Sequence, residues 1–150
     1  MRLARFIAAG FGTGYTPVAA GTVASAAAAL TGAGLLQLSP LALAAAALLA
    51  TIGGTVAVTR AGVEGDPGWV VIDEFAGQWI SLMALARPTL AGVVAAFVLF
   101  RLFDVTKLGP VGWADRQHGA FGVMADDVIA GIIAALVLGL VRLLRPQWLM

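Results

Sequence analysis

The sequence predicts an all-α integral membrane protein, a bundle of about five helices with a polar site at one edge of the bilayer. Of the 150 residues, 61% are hydrophobic and 11% are charged, whereas soluble domains carry about 25% charged residues. The apolar runs are long and rich in alanine, and they lack the period-two alternation of strands. All eight acidic residues lie between these runs or near their ends. Together these observations favour helices that cross a membrane.

The composition also excludes several classes of protein. The length suits one domain, 1–150. The net charge is +1, so there is no basic field that would attract nucleic acid. Without cysteines the chain forms no disulfide, thiolate metal site or cysteine nucleophile. The stretch 1–12 carries Arg2 and Arg5 before an apolar run too short for a signal peptide, so we expect it to lie on the membrane surface.

The first two predicted helices form a hairpin. They run from about Thr22 to Leu38 and from about Leu41 to Thr59, each close to the roughly 20 apolar residues that span a bilayer. Pro40 suits the first turn of the second helix. Because the link is so short, the two helices must be antiparallel.

Three further apolar stretches follow, separated by polar segments. They run from about Trp69 to Ala86, from about Thr89 to Val105 and from about Val123 to Leu144. A loop rich in glycine and acidic residues, 60–68, precedes the third helix, and the longest polar loop, 106–122, precedes the fifth. Arg87 and Pro88 make the turn between the third and fourth helices.

The positive-inside bias of membrane proteins orients this bundle with its N-terminus in the cytoplasm. In that orientation the cytoplasmic side carries Arg2, Arg5, Arg60, Arg101, Lys107 and Arg116. The opposite side carries only Arg87, Arg142 and Arg145. The bias of six to three favours this arrangement.

The same topology gathers all eight carboxylates at the cytoplasmic edge. Five lie near helix ends, namely Asp73, Glu74, Asp104, Asp126 and Asp127, and the loop residues Glu64, Asp66 and Asp115 are secondary. Five converging carboxylates repel one another, so cationic side chains or a divalent cation must stabilise them. Oxygen ligands suit Mg²⁺, which often bridges to a substrate phosphate.

Two simpler explanations compete with a metal site. Acidic residues near helix N-termini complement the helix macrodipole, which accounts for four of the five but not for Asp104 near a C-terminus. Arg101, Asp104 and Lys107 are spaced at i, i+3 and i+6, so they form a cation–anion–cation row. That row fits a phosphate-plus-metal site and an ordinary series of salt bridges equally well.

A glycine-rich segment, 10–25, precedes and enters the first predicted helix. Thr22 can cap that helix, and the backbone around Gly21 and Thr22 can offer free N–H groups to an anion. It is not a Walker A motif, because no lysine follows the glycine. Beside the carboxylates, this segment is a candidate phosphate-binding element.

Three blocks of the chain resemble the bacterial phosphatidylglycerophosphatase A family. The first is Gly14-Tyr-Thr-Pro17-Val-Ala-Ala-Gly21-Thr22-Val-Ala-Ser25, and the second is Asp66-Pro-Gly-Trp-Val-Val-Ile-Asp73-Glu74-Phe-Ala-Gly77-Gln78. The third runs from Arg101-Leu-Phe-Asp104-Val-Thr-Lys107 through Gly119-Ala-Phe-Gly122-Val-Met-Ala-Asp126-Asp127-Val-Ile-Ala130-Gly131. Ala20 and Leu108 stand where that family usually has proline, which affects loop rigidity and removes no charged group.

This resemblance implies an all-α enzyme of the bacterial inner membrane, a phosphoric monoester hydrolase that acts in phospholipid biosynthesis. The expected reaction is Mg²⁺-dependent removal of the terminal phosphate from phosphatidylglycerophosphate, giving phosphatidylglycerol. We expect the metal to be bound by Asp73, Glu74, Asp104, Asp126 and Asp127, with Asp73, Glu74, Asp104 and Asp127 catalytic. Gly21, Thr22, Arg101 and Lys107 would bind the phosphate.

Two alternatives differ in what the acidic cluster does. A small membrane transporter or cation-binding protein would use it to bind an ion, but it would need polar groups through the depth of the membrane. A CDP-alcohol phosphotransferase would need an Asp-Gly-x-x-Ala-Arg row, which the sequence lacks.

Overall fold

The computed structural model describes all 150 residues, and it contains helices and no strands. The α-helices are α1 (Arg2–Ala8), α2 (Ala20–Leu38), α3 (Pro40–Arg60), α4 (Ile72–Leu82), α5 (Leu90–Thr106), α6 (Pro110–Asp115) and α7 (Gly119–Leu144). Short 3₁₀ turns cover Thr13–Tyr15 and Pro146–Trp148. The predicted all-α class is therefore confirmed.

The predicted number of about five helices is not confirmed, because the structure has seven. Five of them, α2, α3, α4, α5 and α7, correspond to the predicted apolar stretches. The other two are short: α1 lies in the N-terminal lead-in, and α6 lies in the segment predicted as the longest loop. α7 also begins at Gly119, four residues before the predicted start at Val123.

The hairpin between α2 and α3 forms as the sequence predicts. Ser39 separates the helices, and its side chain accepts a hydrogen bond of 2.9 Å from the Ala42 amide. Pro40 occupies the first turn of α3. The expected cap of α2 is wrong: the helix begins at Ala20 after a left-handed Ala19, so Thr22 already lies inside the first turn.

Three helices, α2, α3 and α7, are long and apolar enough to cross a membrane. Their outer surfaces expose large apolar side chains, including Leu30, Leu41, Leu49, Leu136 and Leu143, each more than two-thirds exposed. In water such a surface would favour aggregation, whereas lipid tails solvate it. The bundle therefore has the features of a membrane protein.

The third predicted span is shorter than expected. α4 has 11 residues and so is about 16 Å long, about half of the roughly 30 Å hydrocarbon thickness. It begins late because the Val71 amide donates a 2.9 Å hydrogen bond to the Ala8 carbonyl, which ties the preceding chain to α1. Nine of the eleven residues are buried, and α4 lies at the centre of the bundle among α2, α3, α5 and α7.

Two glycines bring α4 and α7 together. A Cβ atom at Gly131 would collide with the Gly77 carbonyl, and one at Gly77 would meet the Phe100 ring and the Asp127 carbonyl. The backbones can therefore cross in direct contact, as small residues permit between membrane helices. One turn before this crossing, α4 carries Asp73 and Glu74 and α7 carries Asp127, so the crossing places these carboxylates side by side.

Candidate active site

Two adjoining cavities lie at one end of the bundle, and together they are lined by all eight carboxylates. The inner cavity, of about 150 Å³, is lined by Asp66, Asp73, Glu74, Asp104, Asp126 and Asp127, with Gly21 and Lys107. The outer cavity, of about 500 Å³, is lined by Glu64, Asp66, Asp115 and Asp126, with Arg116 and His118. Asp66 and Asp126 belong to both. The structure thus brings the predicted acidic residues to one end of the fold.

The five carboxylates of the predicted working set are all buried. Asp73, Glu74, Asp104, Asp126 and Asp127 are each at most 7% exposed. Burial without compensation would cost several kcal/mol per charge. The nearest compensating charges come from α5 and from the residue that follows it.

Arg101 bridges two of these carboxylates through a single nitrogen. Its Nη1 atom lies 2.6 Å from Glu74 Oε1, 2.8 Å from Glu74 Oε2 and 2.5 Å from Asp104 Oδ2. Since each of these contacts uses Nη1, none of them uses the Nη2 or Nε donors of the guanidinium. Arg101 therefore joins α4 to α5 beside the inner cavity, which its two partners line and Arg101 does not.

Lys107 continues the row toward α7. It follows the last residue of α5 in a left-handed conformation, φ 51°, which ends the helix. Its Nζ atom lies 3.0 Å from Asp104 Oδ1, 2.5 Å from Asp126 Oδ2 and 3.4 Å from Asp115 Oδ1. Burial acts to lower the pKa of Lys107, but the hydrogen bond to Asp126 and the charge of Asp104 outweigh it, so the pKa rises and Lys107 stays charged.

Two buried carboxylate oxygens have no hydrogen-bond partner in the protein: Asp126 Oδ1 and Asp127 Oδ2. Buried polar atoms are nearly always partnered, and these two oxygens are free to accept from a ligand or to coordinate a cation. Oxygens of Asp73, Asp126 and Asp127 lie within 4.8 Å of one another, close enough to bind one metal ion. The chemistry of the site therefore fits a divalent cation.

A second group, Glu74, Asp104 and Asp127, has the same spacing of 4.8 Å or less. It differs from the first because Arg101 already occupies oxygens of both Glu74 and Asp104. The two unpartnered oxygens both belong to the first group, and Asp127 is common to both. The first group therefore has more free coordinating capacity.

Glu74 is further held by α2. The Ser25 hydroxyl lies 2.5 Å from Glu74 Oε2, and a Cβ atom at Gly21 would collide with Glu74 Oε1. Sequence reasoning does not select Ser25 as a functional residue. The sequence feature that points to Ser25 is its position one turn after Gly21 in a largely apolar segment, because a hydroxyl buried there needs a hydrogen-bond partner.

The remaining residues of interest lie at the margins. Thr22 is exposed and lines neither cavity, whereas Gly21 lines the inner one. His118 is exposed in the outer cavity. Asp66, predicted as secondary, stands where the two cavities meet, and burial raises its pKa above the ordinary value, with a further rise from the charge of Asp126.

An all-helical bundle with three potential membrane spans and a buried carboxylate cluster defines a helical protein of the membrane type, with an acidic site that could bind a metal ion. Comparison with known families identifies the protein family within this class. The family model described as Phosphatidylglycerophosphatase A matches residues 6–142. The chain belongs to this family, and it is a phosphatase.

Individual relatives agree with this membership. The chain is 39% identical to phosphatidylglycerophosphatase A of Escherichia coli K12, over 95% of this chain and 83% of the relative. It is 37% identical to the Haemophilus influenzae protein of that name, over 87% and 83%. It is 35% identical to a putative phosphatidylinositol-3-phosphatase of Bacteroides thetaiotaomicron, over 91% of each. No solved structure matches the chain significantly.

Proposed function

We propose that this protein removes the terminal phosphate of phosphatidylglycerophosphate to give phosphatidylglycerol, as a Mg²⁺-dependent enzyme of phospholipid biosynthesis. The relatives from Escherichia coli and Haemophilus influenzae carry the name of this activity. The observation that carries the proposal is the pair of unpartnered buried oxygens on Asp126 and Asp127, beside two cationic side chains. Such a site suits a metal ion and a phosphate together.

The metal ligands in this proposal are Asp73, Asp126 and Asp127, with Glu74 and Asp104 at the edge of the same site. An all-carboxylate set favours Mg²⁺, which is bound by oxygen and keeps some of its waters. Bound there, Mg²⁺ would neutralise phosphoryl oxygens and lower the pKa of an attacking water. The carboxylates of the chain supply the negative charge that retains the ion.

Arg101 and Lys107 are the proposed phosphate-binding side chains. Arg101 has donors beyond Nη1, and a guanidinium binds phosphate oxygens in a fixed, bidentate geometry. The Lys107 ammonium faces the inner cavity as a compact charge. The backbone at Gly21 and Thr22, in the first turn of α2, would add N–H donors.

A carboxylate outside the metal set is the proposed general base. Glu74 and Asp104 are the candidates, because Arg101 holds both beside the cavity. With Asp73 and Asp127 they make up the proposed catalytic carboxylates. The attacking water would lose its proton to one of these two side chains as its oxygen bonds to phosphorus. The bond from phosphorus to the lipid oxygen would break, and that oxygen would take up a proton to leave as an alcohol.

The membrane setting supports a lipid substrate. The exposed leucines of α2, α3 and α7 would face lipid tails and hold the bundle in the bilayer, while the cavities lie at one end, where a headgroup would be. We propose that this end faces the cytoplasm at the bacterial inner membrane, in line with the positive-inside bias. We also propose that the chain, 1–150, acts as one domain.

The transporter alternative is not favoured. Apart from the five carboxylates and Ser25, the only buried polar residues are Gln78 and Ser81. Those two side chains contact each other, with Gln78 Nε2 donating to Ser81 Oγ at 3.0 Å. They do not form a polar path from one end of the bundle to the other, which an ion pathway would require.

The proposal is tested by measuring phosphate release from phosphatidylglycerophosphate in detergent micelles. We expect turnover with Mg²⁺ that EDTA abolishes. We expect the Asp104→Asn and Asp127→Asn variants, tested separately, to have a turnover at least about 100-fold lower than wild type. Glu64→Gln is the control, because Glu64 is exposed, lines only the outer cavity and forms no ion pair. Near-wild-type turnover in folded Asp104→Asn and Asp127→Asn proteins would exclude the proposed site.

The substrate is tested in the same assay. Phosphatidylinositol 3-phosphate is the informative comparison, because one relative is named for it as a putative phosphatase. We expect a higher kcat/KM for phosphatidylglycerophosphate. Preference for the inositol lipid would leave the phosphatase in place but contradict the proposed substrate.

A further inference from the structure

We propose that Ser25 is a positioning residue, which holds Glu74 so that Arg101 presents its free donors to the substrate phosphate. This inference rests on the proposed function. Neither the family resemblance nor the names of the relatives assign a role to Ser25.

The contacts of Ser25 are those of a connecting group. The side chain is fully buried. Its hydroxyl lies 2.5 Å from Glu74 Oε2, 2.8 Å from the Gly21 carbonyl and 3.5 Å from Arg101 Nη1. It therefore lies where α2, α4 and α5 meet, behind Glu74, which lines the inner cavity.

Other hydroxyls in the long helices behave differently. Those of Thr31, Thr51, Thr55 and Thr59 donate to backbone carbonyls of their own helix. That is the ordinary way for a threonine or serine in a helix to satisfy its hydroxyl. Ser25 also has such an acceptor in Gly21, yet its hydroxyl lies closer to the carboxylate of another helix.

Gly21 and Ser25 form a notch for Glu74 on one face of α2. They are four residues apart and so lie one above the other. Gly21 leaves room for Glu74 Oε1, and Ser25 donates to Glu74 Oε2. Both oxygens of Glu74 also accept from Arg101 Nη1. Gly21 and Ser25 therefore hold the Glu74 carboxylate in place, and Glu74 in turn holds the Arg101 side chain.

The consequence concerns the orientation of the guanidinium. With Nη1 held by Glu74 and Asp104, the plane of Arg101 is set, and Nη2 and Nε keep one direction. Without the Ser25 hydroxyl, Glu74 Oε2 retains only Arg101 as a partner, and the carboxylate can rotate. Small misplacements of a catalytic group reduce turnover steeply.

The test is a double-mutant cycle on phosphate release from phosphatidylglycerophosphate, with Ser25→Ala, Glu74→Gln and the double variant. We expect Ser25→Ala to lower kcat on the order of 10-fold, with a smaller change in KM. Because Ser25 acts through Glu74, adding Ser25→Ala to Glu74→Gln should cause little further loss. Losses that simply multiply would contradict the proposal.

Ser81→Ala is the matched control. Ser81 is equally buried and loses the same hydroxyl, but it bonds only to Gln78. We expect its kcat to stay within about 2-fold of wild type. Equal kcat values for Ser25→Ala and Ser81→Ala would contradict the role of Ser25.

Ser25→Cys is a second variant that tests the proposal if Ser25→Ala does not fold. The thiol is similar in size and is a weak donor, so we expect a folded protein with the same loss of kcat. Wild-type kcat in Ser25→Cys would overturn the inference. An inactive wild-type protein, by contrast, would contradict the proposed function itself, so the two failures are distinguishable.

Discussion

Arg101 and Lys107 are each shared among several carboxylates of the inner cavity. Arg101 contacts Glu74 and Asp104, and Lys107 contacts Asp104, Asp115 and Asp126. Burying charged groups costs several kcal/mol per ion, so such a cluster is a poor way to stabilise a fold. Six carboxylates line the inner cavity with Lys107, and Arg101 contacts two of them, so the carboxylates outnumber the cations, as a metal site requires.

The shape of Arg101 makes a specific prediction. Arg101→Lys keeps the charge but removes the planar group that bonds carboxylates and phosphate together. Losing one charge-assisted hydrogen bond costs about 1.5–3 kcal/mol, so we expect kcat/KM for phosphatidylglycerophosphate to fall roughly 10- to 100-fold. Steady-state kinetics in micelles measures this loss.

Arg116→Lys is the control for that substitution. Arg116 lines the outer cavity and forms no ion pair with a carboxylate. Its variant should retain kcat/KM close to wild type. If Arg101→Lys were as active as the wild-type protein, a positive charge alone would be sufficient and the geometry of the guanidinium would have no role.

α4 is the element on which the site depends. It is short and central, and it crosses α7 at Gly77 and Gly131 with backbone against backbone. That crossing determines how closely Asp73 and Glu74 approach Asp127. A single added methyl group at the crossing should therefore act on both stability and activity.

Gly131→Ala tests this crossing. The new Cβ would collide with the Gly77 backbone, so we expect the free energy of unfolding to fall by about 1–3 kcal/mol and phosphate release to fall with it. Gly139→Ala is the control on the same helix, because nothing lies within 4 Å of its Cβ. An unchanged Tm and kcat in Gly131→Ala would show that the helices can separate without affecting the site.

The whole bundle is asymmetric from end to end. The acidic cavities lie at one end. At the other end, the Thr89 hydroxyl donates to the Leu149 carbonyl and Arg142 donates to the Ala84 carbonyl. This asymmetry means that the direction of insertion decides which leaflet can supply the substrate.

Single cysteines can establish that direction, because the chain has none of its own. We expect Gln147→Cys to react with a membrane-impermeant maleimide in spheroplasts, and Glu64→Cys to react only after the membrane is opened. Both positions are exposed, at opposite ends of the bundle. The reverse labelling pattern would place the cavities outside the cytoplasm and contradict the proposed orientation.

The helical membrane class and the clustering of the acids were predictable from the sequence. Long apolar runs and the placement of charges at their ends are local features, and they persist whatever the exact packing. The row of Arg101, Asp104 and Lys107 was likewise visible from its i, i+3, i+6 spacing. The spacing alone does not decide whether this row forms ordinary salt bridges or part of a phosphate-binding site.

Tertiary structure decided how the site is assembled. Ser25 and Glu74 are 49 residues apart, and Arg101 and Glu74 are 27 apart, so no local pattern predicts that they touch. The length of α4 was overestimated because its apolar flanks resemble a span, whereas a backbone hydrogen bond from Val71 to Ala8 delays its start. Hydropathy and spacing are properties of residues that are neighbours in sequence. The set of carboxylate oxygens that remain without a partner depends instead on how helices distant in sequence cross.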